Sequence, residues 1–206
     1  MLSNVTTLII VSGCAWLVML FYLSSRSSNL ERQLIPYDNT SYYFNGSQMG
    51  KIKVPRKLQD ADELLLSFSV KNSLLTGTLA SIKIGGNFYT IELDQQNTLT
   101  LVVKQPFGPA STIITLDNLQ VQKFINVSIR LLYHPDTDDD SNQVLINLHA
   151  NDKGQEVVVS NIFKVPKYIY LANSTKPGPK RPFRGVFKNI FVNQVPITGE
   201  KIQIVS

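Results

Sequence analysis

Little in this chain is set aside for cross-linking or for catalysis. Its 206 residues hold one cysteine, one tryptophan and two histidines. Cys14 lies inside an apolar stretch, so the remainder of the chain has no partner for an internal disulfide. A domain of this size can bury enough surface to stand without one, so the absence does not exclude an extracellular site. Trp16 lies in the same apolar stretch, which leaves no tryptophan for an exposed sugar platform. His134 and His149 have no serine or cysteine partner in any catalytic motif and read as loop and strand residues. Charged residues make up only 17% of the chain, against 43% hydrophobic, which excludes wholesale disorder. The net charge of +5 favours polyanionic partners such as sulfated glycans or anionic lipid. No basic run interleaved with aromatics supports nucleic acid. Beyond residue 60 no long 3.6-residue apolar pattern occurs, which excludes a helical bundle.

What the chain does contain begins with Val5–Leu23, 19 residues without a charge. As a helix they span about 28 Å, close to a bilayer core. A cleaved signal peptide would carry a basic n-region and a shorter apolar run, whereas residues 1–4 have no Lys or Arg. Val11-Ser12-Gly13-Cys14 looks like a lipoprotein box, but the apolar run continues past the cysteine. The expectation is an uncleaved transmembrane anchor. Arg26 and Arg32 follow it and favour a cytoplasmic domain by the positive-inside rule. Beyond the apolar run four Asn-x-Ser/Thr triplets, at Asn39, Asn45, Asn126 and Asn173, argue for the opposite side and tip the expectation to a type II, single-pass protein with its domain extracellular or lumenal. Residues 24–41 are polar and aperiodic and read as a tether.

From Tyr42 to residue 206 the chain is a succession of short β-like runs divided by turn residues. Leu64/Leu66/Phe68/Val70 alternate with polar positions, and Tyr89/Ile91/Leu93 alternate with Phe88/Thr90/Glu92, the period-2 signature of sheets with one wet face. Such a series predicts a sandwich or barrel. The segment from Phe183 to Ile197 is aromatic and β-branched but holds no single phase. Phe187 and Phe191 share one parity, while Val186, Ile190 and Val192 take the other. A strand buried on both faces, or one carrying a bulge, reads this way.

That segment resembles the closing strand of laminin G-like domains, Phe-x-Gly-Cys-Ile-x-Asn-(apolar)-x-(apolar)-Asn-Gly. Phe183, Gly185, Phe187, Asn189, Ile190, Val192, Asn193 and Ile197 fit; Val186 stands in place of the cysteine and Gln194 in place of the glycine. Further matches fall in order upstream. Tyr43-Phe44-Asn45-Gly46-Ser47 resembles the opening strand, and Leu65–Val70 with Gly77-Thr78-Leu79 resembles the next pair. Asn87–Leu93 with Leu99-Thr100-Leu101 resembles the central hairpin, and Phe124–Ile129 and Tyr168–Leu171 resemble later strands. The resemblance covers residues 42–206. It implies an all-β, two-sheet antiparallel jelly-roll sandwich, here behind an N-terminal transmembrane helix.

Many members of that family hold Ca²⁺ at the sandwich rim. The corresponding loops here are Gln105–Ser111, without a carboxylate, and Ile162-Phe163-Lys164, where an ammonium would repel a cation. The resemblance therefore brings no metal and no cofactor. Asp136-Thr137-Asp138-Asp139-Asp140 lacks the glycine and terminal glutamate of a Ca²⁺ loop and reads as a solvated hairpin connection. Glu92-Leu93-Asp94-Gln95-Gln96-Asn97 brushes a sandwich-glycosidase motif, but Asn97 replaces its second carboxylate. The expectation is accordingly not an enzyme, with a degenerate glycosidase as the remote alternative. Lys176, Lys180, Arg181, Arg184 and Lys188 place five cations within 13 residues around a Pro-stiffened loop. They are the candidate site for a sulfated glycan or a protein partner, with a charged solvent loop as the competing reading. The function implied is recognition, in adhesion or as a receptor or channel accessory subunit. The alternative is a structural envelope or ER-lumenal assembly component, for example of a virus. Expressed in a glycosylating cell, the protein is expected to lose mass on N-glycosidase treatment, and the Asn126→Gln/Asn173→Gln protein to show a smaller shift. An unshifted wild-type band would place the domain on the cytosolic side.

Overall fold

The computed structural model describes residues 35–38, 41–72, 77–105, 108–119, 124–135, 142–172 and 183–205. Within them two antiparallel sheets form. The first runs in the order β1 (Ile35–Asp38), β2 (Ser41–Asn45), β13 (Arg184–Val192), β4 (Glu63–Asn72), β9 (Ile125–Pro135), β10 (Asn142–Ala150), β11 (Lys153–Ser160), with β14 (Val195–Pro196) folded back on β13. The second runs β15 (Ile202–Val205), β3 (Met49–Lys53), β12 (Tyr168–Leu171), β5 (Gly77–Ile84), β6 (Asn87–Leu93), β7 (Leu99–Lys104), β8 (Ala110–Leu116). Helix among the described residues is limited to two single 3₁₀ turns, Arg56–Leu58 and Gly199–Lys201. Every strand expected from the alternation has a counterpart, and the result is the expected two-sheet sandwich. The anchor Val5–Leu23 lies outside the described residues. So does most of the 24–41 stretch, but Ile35–Asp38 within it pairs with β2 as the sheet's outermost strand.

Alternation sorts the faces. Leu64, Leu66, Phe68 and Val70 of β4 point inward and are buried, as are Ile125, Val127, Ile129 and Leu131 of β9. From the other sheet, Tyr89, Ile91 and Leu93 meet them in one continuous core. Four phenylalanines gather at one end. The ring of Phe187 lies 5.2 Å from Phe44, 5.2 Å from Phe68 and 5.3 Å from Phe183, edge-on to the first and third. Edge-to-face pairs of this kind add about 0.5–1.5 kcal/mol each beyond the burial itself.

The β5–β6 hairpin turns on Gly85 and Gly86, both left-handed (φ 54° and 88°), as a two-residue turn requires. A side chain at Gly85 would also collide with the Asn161 carboxamide. That carboxamide donates to the Ile84 carbonyl at 3.0 Å and to the Tyr89 hydroxyl at 2.7 Å. The Tyr89 hydroxyl thus keeps a partner inside the core. Burial raises the Tyr89 pKa above the ordinary phenol value, outweighing the hydrogen bonds from Asn161 and Asn87 that lower it. A folded-state pKa above the unfolded one means the folded chain holds the proton more tightly. The associated stability is intact below the unfolded value of about 10 and declines as pH rises past it. In urea titrations the advantage of wild type over Tyr89→Phe is therefore expected to shrink between neutral and strongly alkaline pH. Parallel curves would contradict it.

Candidate functional site

The strand β13 sets the surface chemistry of the first sheet. At its start Phe183, Gly185 and Phe187 are buried, while Arg184 is exposed on the opposite parity. Gly185 is dictated by its neighbours, since an added Cβ would run into the Lys71 carbonyl and the Phe183 ring. The pairing with β4 then slips. Lys188 faces Ser69, but the next pair is Phe191 with Ser67, three residues on one strand against two on the other. The extra residue is a bulge, and Asn189 sits in it with a left-handed φ of 51°. Asparagine tolerates that region better than other side chains bearing a Cβ. Past the bulge the phase is inverted: Ile190 and Val192 are now buried, and Phe191 turns to the outer face. Of the two explanations for the mixed phase in the sequence, the bulge is the one realised.

The strand ends in a two-residue turn at Asn193 and Gln194, both left-handed (φ 45° and 65°). The Asn193 carboxamide continues the ladder in place of a strand. Its Oδ1 accepts from the Leu65 amide at 2.6 Å and its Nδ2 donates to the Glu63 carbonyl at 3.1 Å. Gln194, standing where the resembled family has glycine, adopts the glycine conformation.

On the outer face, Phe191, Ser67, Ser128 and His149 form one cross-strand row over β13, β4, β9 and β10. The next row holds Lys188, Ser69 and Asn126. The Ser69 hydroxyl donates to Asn126 Oδ1 at 2.6 Å. The Asn126 amide donates to Asn151 Oδ1 at 2.9 Å. The His149 imidazole occupies the space above Gly154 of β11, where any side chain would displace it. Ser67, Ser69, Asn126, Ser128, His149, Asn151, Asn189 and Phe191 border a groove of about 260 Å³ that no carboxylate lines. Ser128 and His149 face each other across the strands, but among the described residues no acid orients the imidazole.

The basic residues expected from the sequence divide. Lys176, Lys180 and Arg181 lie outside the described residues, in the 173–182 connection. Arg184 is exposed on the outer face, its Nε donating to the Tyr43 hydroxyl at 2.8 Å. Lys188 is half-buried with its ammonium 4.1 Å over the Phe124 ring. The exposed Lys71 of β4 joins them opposite Val186, a neighbour that only strand register reveals. The outward carboxylate of β4, Glu63, is at the far end of the strand in a two-pronged pair with Arg130, 2.9 Å at each prong.

Of the glycosylation candidates, Asn126 borders the groove and Asn45 accepts from the Ser47 amide and hydroxyl at 2.9 and 2.8 Å. Asn39 and Asn173 lie outside the described residues. Asp94 accepts from the amides of Gln96 and Thr98 at 2.9 and 2.8 Å, so the glycosidase-like motif is the end of β6 running into a tight turn. Lys164 is exposed in the connection from β11 to β12. The acidic 136–140 run falls outside the described residues, between the paired ends Pro135 and Asn142 of one hairpin.

No protein-family model and no curated protein matches the sequence. Solved structures do. Domains LG4-5 of the mouse laminin α1 chain superpose with a TM-score of 0.56 at 9% identity, over 83% of this chain and 45% of that one. The LG1-3 region of the laminin α2 chain gives 0.56 at 12% identity, over 82% and 35%. The fold is that of the laminin G domains. The chain spans less than half of either laminin structure, and at this identity the likeness concerns fold alone.

A β-branched residue in the bulge conformation is strained by about 1–2 kcal/mol. Asn189→Val is therefore expected to lower the unfolding free energy by that amount, and the unfolding midpoint with it, whereas Asn189→Gly stays near wild type. Equal midpoints for the two would remove the bulge from the account.

Proposed function

We propose that this protein is a non-enzymatic recognition module, held at a membrane by Val5–Leu23 with its sandwich on the extracytoplasmic side, that binds acidic glycans on the outer face of its larger sheet. The supporting observation is the convergence of Lys71, Arg184 and Lys188 on one end of that face. Arg184 and Lys188 are four residues apart on one strand, about 13 Å at a strand's rise per residue. Lys71 stands opposite the position midway between them. A row of cations at this spacing suits a polymer with repeated negative charge. The sandwich holds the charges on a ladder of backbone hydrogen bonds, so little ordering is needed on binding. The groove beside them, neutral and without an oriented acid or base, favours capture over turnover.

Retention on immobilised heparin tests the reading. Lys71→Ser/Arg184→Ser/Lys188→Ser should elute at clearly lower salt than a control with the same loss of charge elsewhere, Lys53→Ser/Lys83→Ser/Lys164→Ser. Equal elution of the two triples would reduce the interaction to net charge and remove the site.

A further inference from the structure

We infer that the neutral groove beside the cations seats one sugar ring, so that the face recognises a glycan by its hydroxyls as well as by its charge. The inference rests on the glycan reading and deepens it.

Its lining carries the argument. Serine hydroxyls, asparagine carboxamides and an imidazole each offer a donor and an acceptor, matching sugar hydroxyls that are both at once. With no carboxylate among them, the groove has nothing to hold a hard cation and nothing to repel an acidic sugar. Phe191 supplies the apolar surface on which the C–H face of a ring can rest. A flat aromatic beside a few placed polar groups is the usual composition of a small-ligand site. At about 260 Å³ the groove has room for a single ring, with the rest of a chain lying over the sheet.

The polar groups are fixed before any ligand arrives. Ser69 holds Asn126 Oδ1, which leaves the Nδ2 edge of that carboxamide as the donor. Gly154 gives the imidazole of His149 its place. The bulge fixes Asn189 and Phe191 together, since one extra residue creates both positions. Lys188 precedes that bulge and pairs with Ser69 of the groove, its ammonium lying over the Phe124 ring, so the positive charge is on the strand that borders the groove. Asn126 also heads a glycosylation triplet. An N-glycan attached there would grow from the groove itself and compete with the ligand, so the groove is tested on protein without that glycan.

The full-length protein, made in bacteria and purified in detergent, is titrated calorimetrically with two probes. One is a heparin tetrasaccharide; the other is the same backbone without sulfate, N-acetylated and carrying only its uronates. Ser67→Val narrows the groove while adding a β-branched residue that suits a strand. Ser128→Thr, which keeps the triplet intact, does so with a single methyl and serves if the first variant fails to fold. Either is expected to weaken both probes about tenfold, the effect of one lost well-placed contact. Lys71→Ser/Arg184→Ser should weaken the heparin probe and leave the unsulfated one within about twofold. Unchanged affinity in the groove variants, or no binding of the unsulfated probe to wild type, overturns the inference. If the charge variant still loses heparin in that case, the glycan reading stands alone; if neither class of variant matters, both fall.

Discussion

One inserted residue governs the larger sheet. The closing strand has two apolar groups to bury, Phe183 with Phe187 at one end and Ile190 with Val192 at the other, and strict alternation would send one group to each face. Exposing either would forfeit about 1.5–3 kcal/mol per side chain, whereas one left-handed residue costs about 1–2 kcal/mol. Burial wins, and the chain takes the bulge at Asn189. Asparagine keeps the cost low, and the positive φ there is the visible trace of that compromise.

The same insertion shapes the outer face. Once the phase inverts, Phe191 must stand outside, beside Ser67, and the displaced backbone presents Asn189 next to it. The groove is therefore a consequence of how the core is filled, and its floor is only as stable as the ladder on both sides of the bulge. That ladder is well anchored. The Phe44, Phe68, Phe183 and Phe187 cluster lies beneath one end, and the Asn193 carboxamide clamps the other to β4. With no disulfide available, these contacts hold the closing strand in register.

Sequence alternation was enough to read the strands and the two-layer arrangement, because Leu64–Val70 and Tyr89–Leu93 set apolar side chains on the core face and mostly polar ones on the other, even where that second face is covered, as at Ser69 and Thr90. It also exposed the bulge as a phase conflict, without saying which residue would be inserted. Ile35–Asp38 escaped because a four-residue run with Pro36 inside polar sequence has no period to detect. The groove escaped for a different reason. Ser67, Ser128 and His149 lie up to 82 residues apart and meet only through cross-strand register, which a single sequence does not encode locally. Lys71 was overlooked in the same way, while Arg184 and Lys188 stood out as part of a local run. Tryptophan as the mark of a sugar platform points away from Phe191, whose outward position depends on the bulge.

The division between cations and groove has an energetic logic. Exposed lysines and arginines attract a polyanion over about a Debye length, roughly 8 Å at physiological ionic strength, but each charge pair there contributes little and discriminates poorly. Arg184 is braced by Tyr43 and Lys188 lies over an aromatic ring, so less side-chain entropy remains to be lost when an anion arrives. Directional groups in a recess behave differently, since a hydroxyl placed against a donor and an acceptor either fits or strands them both. Charge at the margin then governs how fast an acidic chain is gathered, and the groove governs which ring is kept. The sheet can combine the two because its outer face stays in water while its inner face does the folding.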